Sequence, residues 1–332
     1  MTAEARTSIA IGAGSFGVDD DQSPDPSVAV EYVDVGSHDA LARLTGCDAL
    51  VVGLQRLGVG ELEALPARVR VIGRAGIGLD SIDLEAAERL GIAVVHQPSY
   101  ATNEVADHAT ALVYALTRHV LLGDQVARTG WPGWDNFAAV PSLSESTLGL
   151  VGLGRIGRAV AERLAPALGQ VIAYDPVADA APAGIELVAD LSELLRRSDI
   201  ISLHAPLTQQ TQNLIDAAAL ATMRPGAFLV NVSRGGLVDE HALAAALRDG
   251  HLAGAALDVL STEPPPADHP LLDAPRTLLS PHIAWLSRSS QNRLRVWTLK
   301  DVAEVANGGS PTHGRLAVPG SAVRRERTTA GV

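Results

Sequence analysis

The stretch from Thr147 to Asp175, TLGLVGLGRIGRAVAERLAPALGQVIAYD, restricts this chain more than any other. An apolar run leads into GLGRIG at 152–157, a G-x-G-x-x-G pattern, and then into an amphipathic segment and a second apolar run. With 31 glycines in 332 residues, chance alone supplies about 0.3 such patterns in a chain of this length, so the flanks decide. RAVAERLAPALG puts apolar residues at helical spacing directly after the loop. A helix there would aim its unpaired N–H groups at an anion. Gly152 suits the tight turn, Gly154 the close approach of a phosphate, and Gly157 close helix–strand packing. The next strand ends at Asp175, 23 residues after Gly152. An acid at that place binds ribose hydroxyls and repels a 2′-phosphate, so NAD rather than NADP is the expected cofactor.

A second match, GAGSFG at 12–17, follows the run Ile9–Ile11. What comes next is VDDDQSPDPS, with four aspartates and two prolines in ten residues. That segment cannot supply the helix, and its charges repel phosphate. The first match is therefore expected to be a strand-to-loop turn that holds no dinucleotide.

Strand-like and helix-like stretches alternate twice along the chain. SIAIG, VAVEYVDV, ALVVG, VRVIGRAG and IAVVHQP read as strands in the first hundred residues, with helical stretches between them. From Thr147 a second set begins: TLGLVG, QVIAYD, DIISLHAP, AFLVNVS, GAALDV and TLLSPH. Each set predicts an α/β domain built on a parallel sheet, and the second is a complete doubly wound nucleotide domain. One long helix is expected over 103–130, a turn-rich loop over 131–146, a last helix over 287–309, and a polar tail carrying Arg324, Arg325 and Arg327.

The formal charge of −12 argues against nucleic acid and anionic membrane as partners. No apolar run approaches the ~18 residues of a membrane span. Cys47 is the only cysteine, which rules out an intrachain disulfide and a cysteine-based zinc site, and no metal is expected. The N-terminus lacks the order of a secretory signal, and a cytoplasmic location is expected.

Three segments of the second half bring reactive side chains to strand ends, where open α/β sheets bind ligands. NVSRGGLVDE carries Arg234, ALDVLSTEPP carries Asp258 and Glu263, and LLSPHIAW carries His282 and Trp285. Taken singly, each reads as a surface charge, a loop residue or a structural histidine. Together, downstream of a nucleotide loop, they read as a site. Reduction of a 2-keto acid needs a cation for the carboxylate, which arginine pairs bidentately, and a proton donor, for which histidine is suited. A nearby carboxylate, which Glu263 would supply, orients such a histidine and favours its charged form.

In order along the chain stand GRAGIGLDSID, NEVADHA, GLVGLGRIGRAV, VIAYDP, SLHAPLTQQT, NVSRGGLVDE, GAALDVLSTEPP and SPHIAW. Through this set the chain resembles the D-isomer-specific 2-hydroxyacid dehydrogenases over essentially its whole length. The resemblance implies a flavodoxin-like substrate domain of residues 1–100 and 288–332, with a Rossmann NAD-binding domain of residues 101–287 inserted in it. It implies Arg234, Glu263 and His282 as the catalytic residues. Arg155 and Ile156 would touch the pyrophosphate and Asp175 the ribose. His204, Ala205, Pro206, Thr211, Val232 and Ser233 would line the cofactor, and Asp258 would hold the nicotinamide carboxamide. The backbone of Ile77 and Gly78 would receive the substrate carboxylate, with Arg74 nearby. A homodimer is the usual assembly, and the substrate would be a small 2-keto or 2-hydroxy acid. EVADHA and the Trp285 of PHIAW resemble the C-terminal-binding-protein-like branch, which includes NAD-sensing corepressors, so a scaffold with little turnover is the alternative. Trp285 would border cofactor and substrate or serve packing; both readings stay open.

Overall fold

The computed structural model describes residues 6–16, 25–131, 137 and 141–320. The last glycine of the first match with the segment after it (Gly17 to residue 24), half of the 131–146 loop and the arginine-bearing tail lie outside the described residues. The chain divides into two compact units, Met1–Tyr100 with Ser287–Val332, and Ala101–Leu286. The first stretch contains strands β1 (Thr7–Gly12), β2 (Val28–Val33), β3 (Ala49–Val52), β4 (Val71–Arg74) and β5 (Ala93–His96). Helices α1 (His38–Ala42), α2 (Val59–Ala64) and α3 (Leu84–Leu90) lie between them. The second unit contains β6 (Thr147–Val151), β7 (Gln170–Tyr174), β8 (Ile185–Leu187), β9 (Ile200–Leu203), β10 (Phe228–Asn231), β11 (Gly254–Leu257) and β12 (Thr277–Leu279). Its helices are α4 (Thr102–Thr117), α5 (Val120–Arg128), α6 (Arg155–Leu164), α7 (Leu191–Arg197), α8 (Ala217–Thr222) and α9 (Glu240–Arg248). The chain then returns to the first unit with α10 (Arg288–Ala306) and β13 (Arg315–Val318).

The first sheet has the order β13-β5-β4-β3-β1-β2. Its five leading strands are parallel in the flavodoxin-like doubly wound order. β13 adds an antiparallel edge on β5, with a register shift between Leu316 and Val318. The central strands read as continuous apolar runs because both faces are covered. Leu50, Ile72, Ile92 and Val94 are buried against Leu62 and Ala87 of the helices. On α10, Asp301 is buried and accepts backbone N–H bonds from Thr312 and Gly314 and the side-chain amide of Gln97, which ties β13 and the end of β5 to this helix.

The second sheet has the order β12-β11-β10-β9-β6-β7-β8, with every pair parallel. This is the Rossmann order, and it reverses between β6 and β9, the place where such folds bind their ligand. Helix α6 buries Gly157, Val160, Ala161 and Leu164, an i, i+3, i+4, i+7 face. Fully buried Leu203, Leu229 and Leu257 sit in the core with Leu243 and Leu247 of α9, each contributing about 1.5–3 kcal/mol.

Three elements differ from the sequence expectation. β8 and β13 are short edge strands that no apolar run announced. The long helix expected over 103–130 breaks at Arg118–His119, where His119 takes a left-handed φ of 50°. The His119 ring meets the edges of Phe228 and Phe137, so tertiary contacts set the break. Just before it, the Thr117 hydroxyl donates to the Val113 carbonyl, a bond that competes with continuation of the helix.

Candidate active site

The loop between β6 and α6 accounts for each of its three glycines. Gly152 has φ +98°, and a Cβ there would lie 2.7 Å from the backbone of His204. A Cβ on Gly157 would lie 2.2 Å from the Gly152 carbonyl oxygen. A Cβ on Gly154 would meet nothing within 4 Å, so this position faces open space. Gly154 also caps α6 without a side-chain bond, whereas Ser37, Asp83, Asp190, Asp216, Asp239 and Ser287 cap α1, α3, α7, α8, α9 and α10 through their side chains. Arg155 and Ile156 form the first turn of α6. An open, uncapped helix start at the switch point fits the pyrophosphate of a dinucleotide.

Asp175 follows β7 at the same sheet edge. Its Oδ2 accepts the Leu153 N–H at 2.8 Å and its Oδ1 the Val177 N–H at 3.0 Å. The acid thus braces the glycine loop, a role its spacing did not reveal. His204 lies beneath the loop. Its Nε2 pairs with the Ser202 hydroxyl at 2.9 Å and its Nδ1 is buried. Burial pushes the imidazole down to about 4, so the ring is neutral near pH 7. Beyond Ala205, the Thr211 hydroxyl donates to the Pro206 carbonyl at 2.7 Å and accepts the Thr208 N–H, closing that turn. Val232 is buried, and the Ser233 hydroxyl donates to the Leu203 carbonyl at 2.8 Å, joining the ends of β9 and β10.

His282 and Glu263 meet. The imidazole Nδ1 lies 2.7 Å from Glu263 Oε2, and Glu263 Oε1 accepts the Leu260 N–H at 2.9 Å. Partial burial opposes ionisation of Glu263. The His282 hydrogen bond and charge, the Leu260 N–H and the Arg234 charge outweigh it and hold the carboxyl below its ordinary range. Arg234 lies at the end of β10; its Nη1 donates to the Ser233 carbonyl, and the Asn231 amide donates to the Arg234 carbonyl.

Asp258 is the buried organiser of the His282 turn. Its carboxylate accepts the Ser280 hydroxyl at 2.5 Å, the Ile283 N–H at 2.9 Å and the Ala284 N–H at 2.8 Å. Bonds to a charged group contribute about 1.5–3 kcal/mol each, enough to hold His282 in its left-handed conformation of φ 54°. Trp285 Nε1 donates to the His282 carbonyl at 3.0 Å, so the indole clasps the same turn. His108 of α4 reaches Ser280 Oγ at 3.1 Å and stands 3.6 Å from Asp258. Among the described residues no cluster of three metal-ligating side chains occurs.

In the first unit, Arg74 ends β4 as a buried residue, with its guanidinium donating to the Ala75 carbonyl and lying against Gly76. Gly76 has φ +149°. The Ile77 carbonyl pairs with His96 Nδ1 at 2.9 Å, and the Gln97 N–H donates to the Gly76 carbonyl. Ile77 and Gly78 are half-buried at the end of this braced turn.

Residues 110–284 match the family model described as the NAD binding domain of D-isomer specific 2-hydroxyacid dehydrogenases. D-3-phosphoglycerate dehydrogenase of Mycobacterium tuberculosis (strain ATCC 25618 / H37Rv) is 40% identical over 281 residues, which cover 83% of this chain and 52% of that protein. The chain thus spans about half the length of the first curated relatives it matches. Glyoxylate reductase of Thermofilum pendens is 36% identical over 311 residues, covering 87% of this chain and 90% of that one. The NAD-dependent formate dehydrogenase of Staphylococcus aureus, solved in complex with NAD, superposes with a TM-score of 0.82 at 27% identity, over 95% of this chain and 100% of that chain.

Proposed function

The chain belongs to the D-isomer-specific 2-hydroxyacid dehydrogenases, and on that premise we propose that it interconverts a small 2-keto acid and the corresponding 2-hydroxy acid. The observation that carries the reading is the 2.7 Å contact of His282 with Glu263. NAD(H) held at Gly152, Gly154, Arg155, Ile156, Gly157 and Asp175 would exchange a hydride with substrate C2. A proton on His282 Nδ1 is committed to Glu263, which leaves Nε2 as the nitrogen that gives a proton to the carbonyl oxygen in reduction and takes it back in oxidation. Glu263, held ionised, orients the ring through this contact. Arg234 binds the substrate carboxylate and polarises the carbonyl. Arg74, Ile77 and Gly78 of the first unit are proposed as further substrate-binding residues. The Asp175 charge supports NAD over NADP.

EVADHA and Trp285 support the C-terminal-binding-protein-like branch. A homodimer is part of the proposal. Helix α5 buries none of its residues and exposes Val120 and Leu121, as a subunit contact would require. No helix among the described residues is long and apolar enough to cross a membrane.

The test is a panel of 2-keto acids with NADH and NADPH, followed at the nicotinamide absorbance. Turnover with NADH is expected, falling by about a thousandfold in His282→Ala while NADH affinity stays within a few-fold. Intact NADH binding with no turnover on any member would favour the corepressor-like scaffold instead.

A further inference from the structure

We propose that the buried pair Glu240–His269 is a positioning device for the Glu263–His282 dyad, a role that rests on the dehydrogenase reading above. The first observation is a misplaced charge. Helix α9 turns Leu243, Ala244 and Leu247 into the core, and Glu240 occupies the preceding position of that same face. Only 7% of Glu240 is exposed. A lone carboxylate there would cost several kcal/mol, so its partners define what it is for.

Those partners lie on the segment that carries Glu263. Glu240 Oε1 accepts the Ser261 N–H at 2.7 Å, and Oε2 accepts the Ser261 hydroxyl at 2.5 Å. His269 Nε2 stands 3.0 Å from Oε2, and its Nδ1 faces the Leu271 N–H. With Nδ1 accepting, the ring proton sits on Nε2 and is donated to Glu240. Both ends of the Ser261–His269 segment are thereby fixed to one carboxylate. Within the segment stands Glu263, whose Oε1 accepts the N–H of Leu260, the residue before Ser261, and whose Oε2 holds His282.

The other side of the segment has no slack. A Cβ on Gly235 would lie 1.9 Å from the Leu260 carbonyl carbon and 2.1 Å from the Ser261 nitrogen. The residue after Arg234 is thus packed directly on the backbone that Glu240 grips. One buried carboxylate therefore sets where Glu263 stands relative to both Arg234 and His282. Neither Glu240 nor His269 belongs to the dyad or the cofactor loop; each acts through Ser261 and Leu260.

The test compares full-length wild type with Glu240→Ala, His269→Ala, His269→Gln and Ser261→Ala. The readouts are NADH affinity, kcat and KM for the best 2-keto acid, and the low-field NMR signal of the His282 Nδ1 proton. Glu240→Ala and His269→Ala are expected to lower kcat at least about tenfold with the KM for NADH within twofold, and to shift or broaden the His282 signal. His269→Gln restores an N–H donor toward Glu240 and should recover most of kcat and the signal, which a loss of packing alone would not allow. Should Glu240→Ala fail to fold, His269→Ala still removes one end of the link, and Ser261→Ala removes one of the two Ser261 bonds to Glu240 and should give a smaller loss in the same direction. Alanine variants that bind NADH, keep wild-type kcat and leave the His282 signal unmoved would overturn the proposal. If wild type reduces no 2-keto acid, the dehydrogenase reading fails, and an unmoved His282 signal would separately refute the positioning link.

Discussion

Two glycine-rich turns follow the first strands of the two sheets, and among the described residues only the second opens a helix. At Gly12–Phe16 the turn closes over itself. Ser15 and Phe16 are buried, the Gln55 amide donates to the Ala13 carbonyl, and a Cβ on Gly53 would lie 2.9 Å from the Ser15 Cα. At Gly152–Gly157 the outer glycines press backbone on backbone while Gly154 faces open space over an uncapped helix. The middle glycine, Gly14 or Gly154, meets nothing within 4 Å in either turn, so the uncapped helix is what sets the second apart. The difference teaches that an open middle glycine does not by itself mark a ligand site; the helix start behind Gly154 is what supports the proposed one.

The comparison breaks most visibly at Gly157. Its added methyl would run into the Gly152 carbonyl, a backbone atom that cannot swing away. Gly157→Ala is expected to reduce NADH affinity by about a hundredfold or more and to lower the melting temperature. Titration of nicotinamide fluorescence checks this, and wild-type affinity would contradict the packing role of the third glycine.

The second effect concerns what lies beneath each turn: Gln55 under the first, the buried ring of His204 under the second. The His204 imidazole is pushed down to about 4 from 6.5 in the open chain. Between those values the unfolded chain binds the proton and the folded one does not. Stability is therefore fully present above about pH 6.5 and is lost as the pH falls toward 4, by on the order of 3 kcal/mol. Urea unfolding across that range should show the loss in wild type and a shallower slope in His204→Gln. Equal slopes would remove His204 from the account.

The smallest effects sharpen the comparison best, because they run in opposite directions. Gly154→Ala places its methyl in open space, so stability should change by less than about 0.5 kcal/mol while NADH affinity drops about tenfold. Gly12→Ala meets Val35, Gln55 and Ser15 at 3.1–3.3 Å. It should cost about 1 kcal/mol of stability and leave NADH affinity unchanged. Thermal melts and NADH titrations on the two variants decide it.

Much of the fold was legible because parallel strands buried on both faces announce themselves as apolar runs. Gly152, Gly154 and Gly157 were readable from the helix that follows them, and Arg234, Glu263 and His282 from their places after strands. What stayed hidden depends on partners far along the chain. β8 has three half-exposed or exposed residues and β13 an interrupted pairing, so neither carries a period of two. His119 turns left-handed against Phe228, over a hundred residues away. The bracing role of Asp175, the Asp258 clasp and the Glu240–His269 link are hydrogen bonds between segments, with no local signature. Glu240 alone left a trace, as an acid on the apolar face of its helix.

The return of α10 and β13 to the first sheet has a consequence for the order in which this molecule can be made. Helix α10 packs on β1, β3, β4 and β5, and β13 pairs with β5. The α10 contacts wait for a segment that ends at residue 306, and the β13 pairing for one that ends at residue 318. The inserted second unit, contiguous from Ala101 to Leu286, has all its strands translated before then. The inserted unit can therefore fold while the host sheet still lacks α10 and β13, and the host sheet closes after it.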